Sequence, residues 1–376
     1  MKNILFDLFQ LILKILDRLF PKTENTIIFP LYSFNDYKDN RRFLFDSLSK
    51  FQEIDCVILF FRKQDVTSSR HVNFYSFKGL VYWLRSRYIV IDHGTSDIPF
   101  SDSLDYNRRK IINVWHGISL KNLGYRIKDK NVLTMKSEFE KYSSMICSSR
   151  LDFLAMQSCF RKSKKEMWLT GLPRNDLLLL NDSQIPNDLK SGLNWIENKL
   201  NQRKMVLYMP TWRDDTFHNP KFDEQEITKL QLLLKSEDAV LGVKIHPNAP
   251  PIDFGSIPTL NLSDCPCPEV GLFLRKADVL VTDYSSVWVD FLLLDRQIVN
   301  YCPDISNYKE TRGFLYDYDL VFPGKINVTF ESFLKDLKIS LSTSISSKQI
   351  RIKHLFHAFL DGKNSERVSR KILSIL

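Results

Sequence analysis

Glycine is sparse in this chain, with 12 among 376 residues, and no GxGxxG, P-loop or GxSxG run can be formed from them. That removes the dinucleotide fingerprint, the Walker-type kinase and the nucleophile-elbow hydrolase, each of which needs glycine at a tight backbone turn. No HExxH pair occurs either. Cysteine is equally thin: Cys56, Cys147, Cys159, Cys265, Cys267 and Cys302 show no C-x-x-C spacing and no disulfide-framework density. Cys265 and Cys267 stand too close together, around Pro266, for a zinc knuckle. All six are expected as reduced thiols of a cytosolic protein. Zinc-finger spacing, RNP-type aromatic motifs and basic-region heptads are missing too. The formal net charge of +9 therefore does not read as nucleic-acid binding. It leaves an anionic lipid surface, an acidic substrate, or simply a moderately basic soluble surface.

Long apolar runs are also lacking. The first twenty residues come nearest, but Asp7, Lys14 and Asp17 interrupt them too often for a membrane span, which needs roughly 20 mostly apolar residues. No small-residue cleavage site follows, so a signal peptide is not expected. Asn3, Asp7, Gln10, Lys14, Asp17 and Arg18 step mostly by three and four, which gathers them in one stripe of a helix opposite a broad apolar face. Residues 1–20 are expected to form an amphipathic helix, lying either in a membrane interface or on the protein's own core. Pro21 ends it.

What remains is an ordinary globular composition, 44% hydrophobic and 26% charged. At roughly 100–200 residues per domain the length suggests two domains. Short apolar runs with β-branched content recur at 26–30, 55–60, 88–92, 112–116 and 143–149, separated by longer polar or amphipathic stretches. A polar stretch around 181–203 reads as a linker. A second set follows at 204–210, 240–247, 277–283 and 297–302, with helices expected at 224–236, 285–294 and 328–339. This rhythm predicts an α/β protein of two Rossmann-like domains, 21–185 and 200–345, facing a central cleft. Residues 346–376 are expected as helices folded back over the first domain.

Open parallel sheets bind ligands beyond the carboxyl ends of their strands, so polar residues directly after each strand are the ones to inspect. Thr282 and Asp283 end one strand, and Ser285 and Ser286 follow where a helix begins. Free N–H groups and two hydroxyls there suit a diphosphate, although serines also serve as plain helix caps. His246, after Lys244, ends another strand and can donate to phosphate or move a proton. Arg213 follows the first strand of the second set and could clamp phosphate oxygens or pair with Asp214 or Asp215. In the first domain His116 ends a strand, Gly117 permits close approach, and Lys121 and Gly124 follow. Arg174 and Asp176 follow Pro173. His93 also ends a strand and reads as structural.

Together these motifs resemble the CDP-glycerol glycerophosphotransferase family. The motifs are Trp115-His116-Gly117, Gly171 to Asp176, Pro210 to Asp214, Lys244 to Pro247, and Thr282 to Phe291. The resemblance continues through Tyr308, Arg312-Gly313-Phe314, Tyr316-Asp317, Asp361-Gly362-Lys363 and Ser365-Glu366-Arg367, covering about residues 26–370. Ile118-Ser119 and Arg296-Gln297 depart from the pairs usual in the family, Thr-Pro and Lys-Pro. The resemblance implies a GT-B fold held at the cytoplasmic face of the membrane, with an anionic membrane surface as partner. It implies CDP-glycerol or CDP-ribitol as donor, a lipid-linked or polymeric acceptor of teichoic acid or capsule type, and no nucleic acid. By the same analogy His116 is the general base, and His246, the second residue taken as catalytic, helps hold the diphosphate and offset charge on the leaving CMP. Arg213, Lys244, Thr282, Asp283, Ser285 and Ser286 hold the donor diphosphate. Gly117, Lys121, Arg174, Asp176 and Arg312 support the acceptor side. No metal ligands are assigned, and a requirement for Mg²⁺ stays open. A nucleotide-sugar transferase on the same fold and a non-catalytic assembly partner are the competing readings.

Overall fold

Two sheets, each parallel throughout, carry the chain. The computed structural model describes residues 2–32, 37–62, 70–128, 130–211, 221–245 and 252–376, with side chains from Phe6 onward. The chain divides into two compact units, the first Met1–His116, Lys128–Asp176 and Lys363–Leu376, the second Gly117–Ile127 and Leu177–Gly362. The Gly117–Ile127 segment thus clusters with the second unit although its sequence neighbours on both sides belong to the first.

The first unit holds seven strands: β1 (Thr23–Leu31), β2 (Asp55–Phe60), β3 (His71–Asn73), β4 (Ser86–Ile91), β5 (Lys110–Asn113), β6 (Tyr142–Cys147) and β7 (Met167–Leu169). Their order across the sheet is β3-β2-β1-β4-β5-β6-β7. The order reverses between β1 and β4, the place where such sheets open a crevice for ligands. Ile27, Ile28, Ile89, Val90, Ile111 and Ile112 are fully buried, as a parallel sheet covered on both faces requires. The second unit holds β8 (Lys204–Tyr208), β9 (Ala239–Val243), β10 (Thr259–Asn261), β11 (Val279–Thr282) and β12 (Gln297–Asn300), in the order β10-β9-β8-β11-β12. Its reversal lies between β8 and β11. Val206, Leu241, Val281 and Val299 meet Leu230, Leu233, Phe333 and Leu337 from helices Glu224–Ser236 and Phe330–Ser340 in one core.

The expected strand at 112–116 is shorter than the pattern suggested. β5 stops at Asn113, and Trp115 takes a left-handed φ of 49°. The expected helix at 285–294 is one five-residue turn, Val287–Phe291, followed by a 3₁₀ turn at Leu292–Leu294. Of the C-terminal segment, helix Ser347–Phe356 lies in the second unit and helix Asn364–Leu373 in the first.

The N-terminal segment is a helix, Lys2–Leu19. It is anchored to the first unit through its polar stripe. Asp17, read as part of that stripe, is fully buried. Its Oδ1 accepts from Lys22 Nζ at 2.8 Å and from Arg109, and its Oδ2 accepts from the Asp105 N–H at 2.8 Å. Leu13 is buried beside it, whereas Leu8, Leu11, Ile12, Ile15 and Leu19 remain exposed. Among the described residues no helix is long and apolar enough to cross a membrane.

Candidate active site

β4 and β5 pair in register up to Ile91 and Asn113, so the residues that follow them emerge side by side. Past β4 come Asp92 and His93. The 3₁₀ turn Thr95–Asp97 then brings Asp97 back, and its Oδ2 accepts from the N–H groups of Asp92 and His93 at 3.0 and 2.9 Å. Past β5 the chain turns sharply. The Trp115 N–H donates to Asn113 Oδ1 at 2.8 Å, which steadies a left-handed residue that is not glycine. Asn40, fully buried on helix Asp39–Leu48, donates through Nδ2 to the Val114 and Trp115 oxygens at 3.0 and 2.8 Å. Gly117 follows with φ at 143°, a backbone state that other residues rarely adopt.

This scaffold presents His116. Its Nδ1 lies 2.9 Å from the main-chain oxygen of Asp92. A carbonyl can only accept, so Nδ1 carries the hydrogen and the neutral ring keeps its lone pair on Nε2. The ring of His93 stacks on that of His116 with centroids 4.3 Å apart and planes 11° from parallel. Asp92 holds His93 as well, its Oδ1 accepting from Nδ1 at 2.7 Å. Arg41 pairs with the other Asp92 oxygen through Nε at 2.8 Å. Arg174 donates from its guanidinium to the His116 oxygen at 2.8 Å, and its own N–H donates to Asn40 Oδ1 at 3.0 Å.

The electrostatics follow from this packing. Burial, then a charge on His93, then the Arg174 guanidinium push the His116 pKa down from 6.5, to about 4. Dense protein surrounds the residue, yet more than a third of its own surface is open to solvent. Water on the open side tempers the burial, and the downward shift leaves the ring neutral at pH 7. Burial alone would raise Asp92, but the His93 hydrogen bond and the Arg41 charge outweigh it and hold that carboxyl below its usual range. Asp97 moves the other way, raised by burial and by the negative charge of Asp92. Asp92, His93 and Asp97 each bring one donor atom within 4.8 Å of the others, close enough for a cation. Both Asp92 oxygens are already engaged by His93 and Arg41, so the trio reads as a hydrogen-bonded support.

Other predicted residues have structural partners of their own. Asp176 is buried and accepts the N–H groups of Asn364 and Ser365, both at 2.8 Å, so it caps helix Asn364–Leu373. Lys121 sits in the second unit, bridged to Phe314, with its ammonium 6.0 Å from the Tyr308 ring centroid. Arg312 ends helix Ile305–Thr311 with its side chain exposed, and its oxygen accepts from Asn122 Nδ2 at 3.4 Å.

In the second unit Thr282 and Asp283 are buried and hold the exit of β8. Thr282 Oγ1 donates to the Met209 oxygen at 2.6 Å, and Asp283 Oδ1 accepts the Thr211 N–H at 2.8 Å. Ser285 and Ser286 are half-buried at the turn ahead of Val287. Ser286 makes no side-chain cap, and the Val287 N–H lies 3.5 Å from Ser285 Oγ. Lys244 Nζ donates to Ser263 Oγ at 3.2 Å. Arg213 and His246 lie outside the described residues.

The sequence reading passed over Asn40, Arg41 and Asp97, and it set His93 aside as structural. His93 carried a visible signal, a histidine directly after a strand. Asn40 carried none, because its partners are 74 and 75 residues away.

Parallel sheets that gather polar side chains beyond their carboxyl ends define an α/β protein built to hold a ligand there. The chain matches the family model of CDP-Glycerol:Poly(glycerophosphate) glycerophosphotransferase over residues 12–374, and it belongs to that family of enzymes. It is 26% identical over 398 residues to the teichoic acid poly(glycerol phosphate) polymerase of Bacillus spizizenii, covering 99% of this chain and 98% of the relative. It is also 26% identical to the teichoic acid ribitol-phosphate primase of the same organism, covering 96% and 94%. Among solved structures the wall teichoic acid polymerase TagF superposes with a TM-score of 0.78 at 24% identity, covering 99% of this chain and 95% of that one, a likeness of fold.

Proposed function

We propose that this protein transfers glycerol phosphate from CDP-glycerol to a hydroxyl of a teichoic acid-like acceptor and releases CMP. The observation that carries this reading is the His116 imidazole held by the Asp92 main-chain oxygen at Nδ1, which leaves Nε2 as the proton acceptor. Nε2 takes the proton of the acceptor hydroxyl as that oxygen attacks the β-phosphorus. The bond from phosphorus to the bridging oxygen breaks, and that oxygen leaves with CMP. The donor diphosphate would rest on Ser285, Ser286 and Lys244, with Arg213 and His246 as further cationic contacts by family analogy. Gly117, Lys121, Arg174 and Arg312 would serve the acceptor side.

Two finer points belong to this proposal. A ribitol-phosphate primase stands among the relatives, so CDP-ribitol is the second donor to test. The exposed row Leu8, Leu11, Ile12, Ile15 and Leu19 suits an interfacial helix, which would hold the enzyme on an anionic membrane where a lipid-linked acceptor resides. The test is nucleotide release with CDP-glycerol, CDP-ribitol and UDP-sugars, each with an oligomeric acceptor and with Mg²⁺ or EDTA in parallel arms. CMP release from one CDP-polyol supports the proposal. UDP release moves the protein to sugar transfer.

A further inference from the structure

Asp92 holds two imidazoles at once. Its carboxylate accepts from His93 Nδ1 at 2.7 Å, and its main-chain oxygen accepts from His116 Nδ1 at 2.9 Å. The two rings are therefore fixed from the same side and lie nearly parallel, 4.3 Å apart. Asp92 is itself fixed, by Arg41 on its second carboxylate oxygen and by Asp97 on its N–H. Thr95, which starts the turn carrying Asp97, is held by Glu138 of helix Val132–Phe139, whose Oε1 accepts the Thr95 N–H at 2.7 Å. A ring that only filled space would need none of this bracing.

We infer that His93 is a positioning residue for His116: the Asp92–His93 pair sets the plane and tautomer of the His116 ring, and the stacked imidazoles accommodate one added proton rather than two. The inference rests on the reading of His116 as the base. The physical reason is like-charge repulsion. Two imidazolium rings stacked at 4.3 Å face each other with little water between them. The charged and titratable groups around the pair are Asp92 and Asp97 beyond β4, Arg41 and Asp39 on helix Asp39–Leu48, Glu138 behind Thr95, and Arg174 against the His116 oxygen. Arg174 already opposes a second positive charge at His116, and a charge on His93 adds to that opposition. In the resting enzyme Nε2 of His116 is thereby kept ready to accept. When it takes the acceptor's proton, the positive charge arises beside a ring that the Asp92 carboxylate has already oriented.

The test uses the full chain with His93→Phe, which keeps a flat ring but removes Nδ1–H and any charge, and His93→Asn, which keeps an N–H for Asp92 but no ring. Two readouts are taken: the His116 ring titration by NMR, assigned through His116→Gln, and the pH profile of kcat/KM with CDP-glycerol. In both variants the His116 midpoint is expected to rise by about one pH unit, roughly a tenfold gain in proton affinity. The acid limb of kcat/KM should move with it. In His93→Phe, kcat should fall roughly tenfold, a fraction of the 10²–10⁴ that a positioned base supplies, with KM for CDP-glycerol within about twofold. An unmoved midpoint and limb in both folded variants would overturn the inference and leave His93 as packing. The titration needs no turnover. A raised midpoint in a protein that consumes no CDP-glycerol would therefore uphold the histidine pair and sink the donor reading instead.

Discussion

The Asn40 side chain donates to the main-chain oxygen of Trp115 at 2.8 Å, across 75 residues of sequence. The same amide donates to the Val114 oxygen and accepts from the Arg174 N–H at 3.0 Å each. One buried side chain thus holds the turn that aims His116 and the turn that carries Arg174. Asn40→Ala leaves these groups without a partner, at about 1–3 kcal/mol for a buried group so exposed. We predict a lower Tm, and a fall in kcat that exceeds any change in KM for the donor. Thermal unfolding and steady-state kinetics on the same preparation check both.

A second prediction concerns pH. Burial and neighbouring positive charge lower the His116 pKa, so the base is lost only when pH falls well below the ordinary histidine range. Activity should be level from pH 8 down through 6.5, with the acid limb centred below the ordinary histidine value of about 6.5. His116→Gln should reduce kcat by a factor on the order of 10²–10⁴ and abolish the acid limb. A limb centred above 6.5 in the native enzyme would contradict the assignment.

Asp176 predicts a stability effect rather than a chemical one. Its carboxylate accepts the first N–H groups of helix Asn364–Leu373. Asp176→Ala should cost about 1–3 kcal/mol in urea unfolding and admit proteolysis near Lys363. Gly171→Ala should act on the same joint. Gly171 has φ at 79°, and a Cβ there would stand 2.0 Å from Asn364 Oδ1. Neither change should shift the acid limb.

The N-terminal helix separates anchoring from exposure. Asp17→Ala strands the buried Arg109 charge, and loss of one partner of a buried pair costs about 3–5 kcal/mol. Replacing the exposed Leu11, Ile12 and Ile15 by glutamate should leave Tm within about 2 °C, because none of the three packs in the core. The same triple variant should lose sedimentation with anionic vesicles. Unchanged binding would remove this face from the membrane proposal.

Much of this was legible in the sequence, and the failures have physical causes. Runs such as Ile27–Phe29 and Val279–Val281 are buried on both faces, so a continuous apolar stretch identified each strand. β3, β7 and β10 have three residues each, too few to make such a run. His116 was readable because it follows a strand and sits within a recognisable motif. The burial of Asp17 was not legible because helical periodicity sorts residues by polarity, and a polar residue can be buried when a cation such as Arg109 meets it. Asp176 sits in the same motif as Arg174, yet the first caps a helix and the second braces His116. Spacing alone could not tell those duties apart.

The most direct test of the central claim is CMP release by the purified protein given CDP-glycerol and an oligomeric glycerol-phosphate acceptor, with His116→Gln alongside. The account predicts that CMP appears in step with acceptor extension and that the variant loses both. Acceptor extension undiminished in a folded His116→Gln enzyme would contradict it.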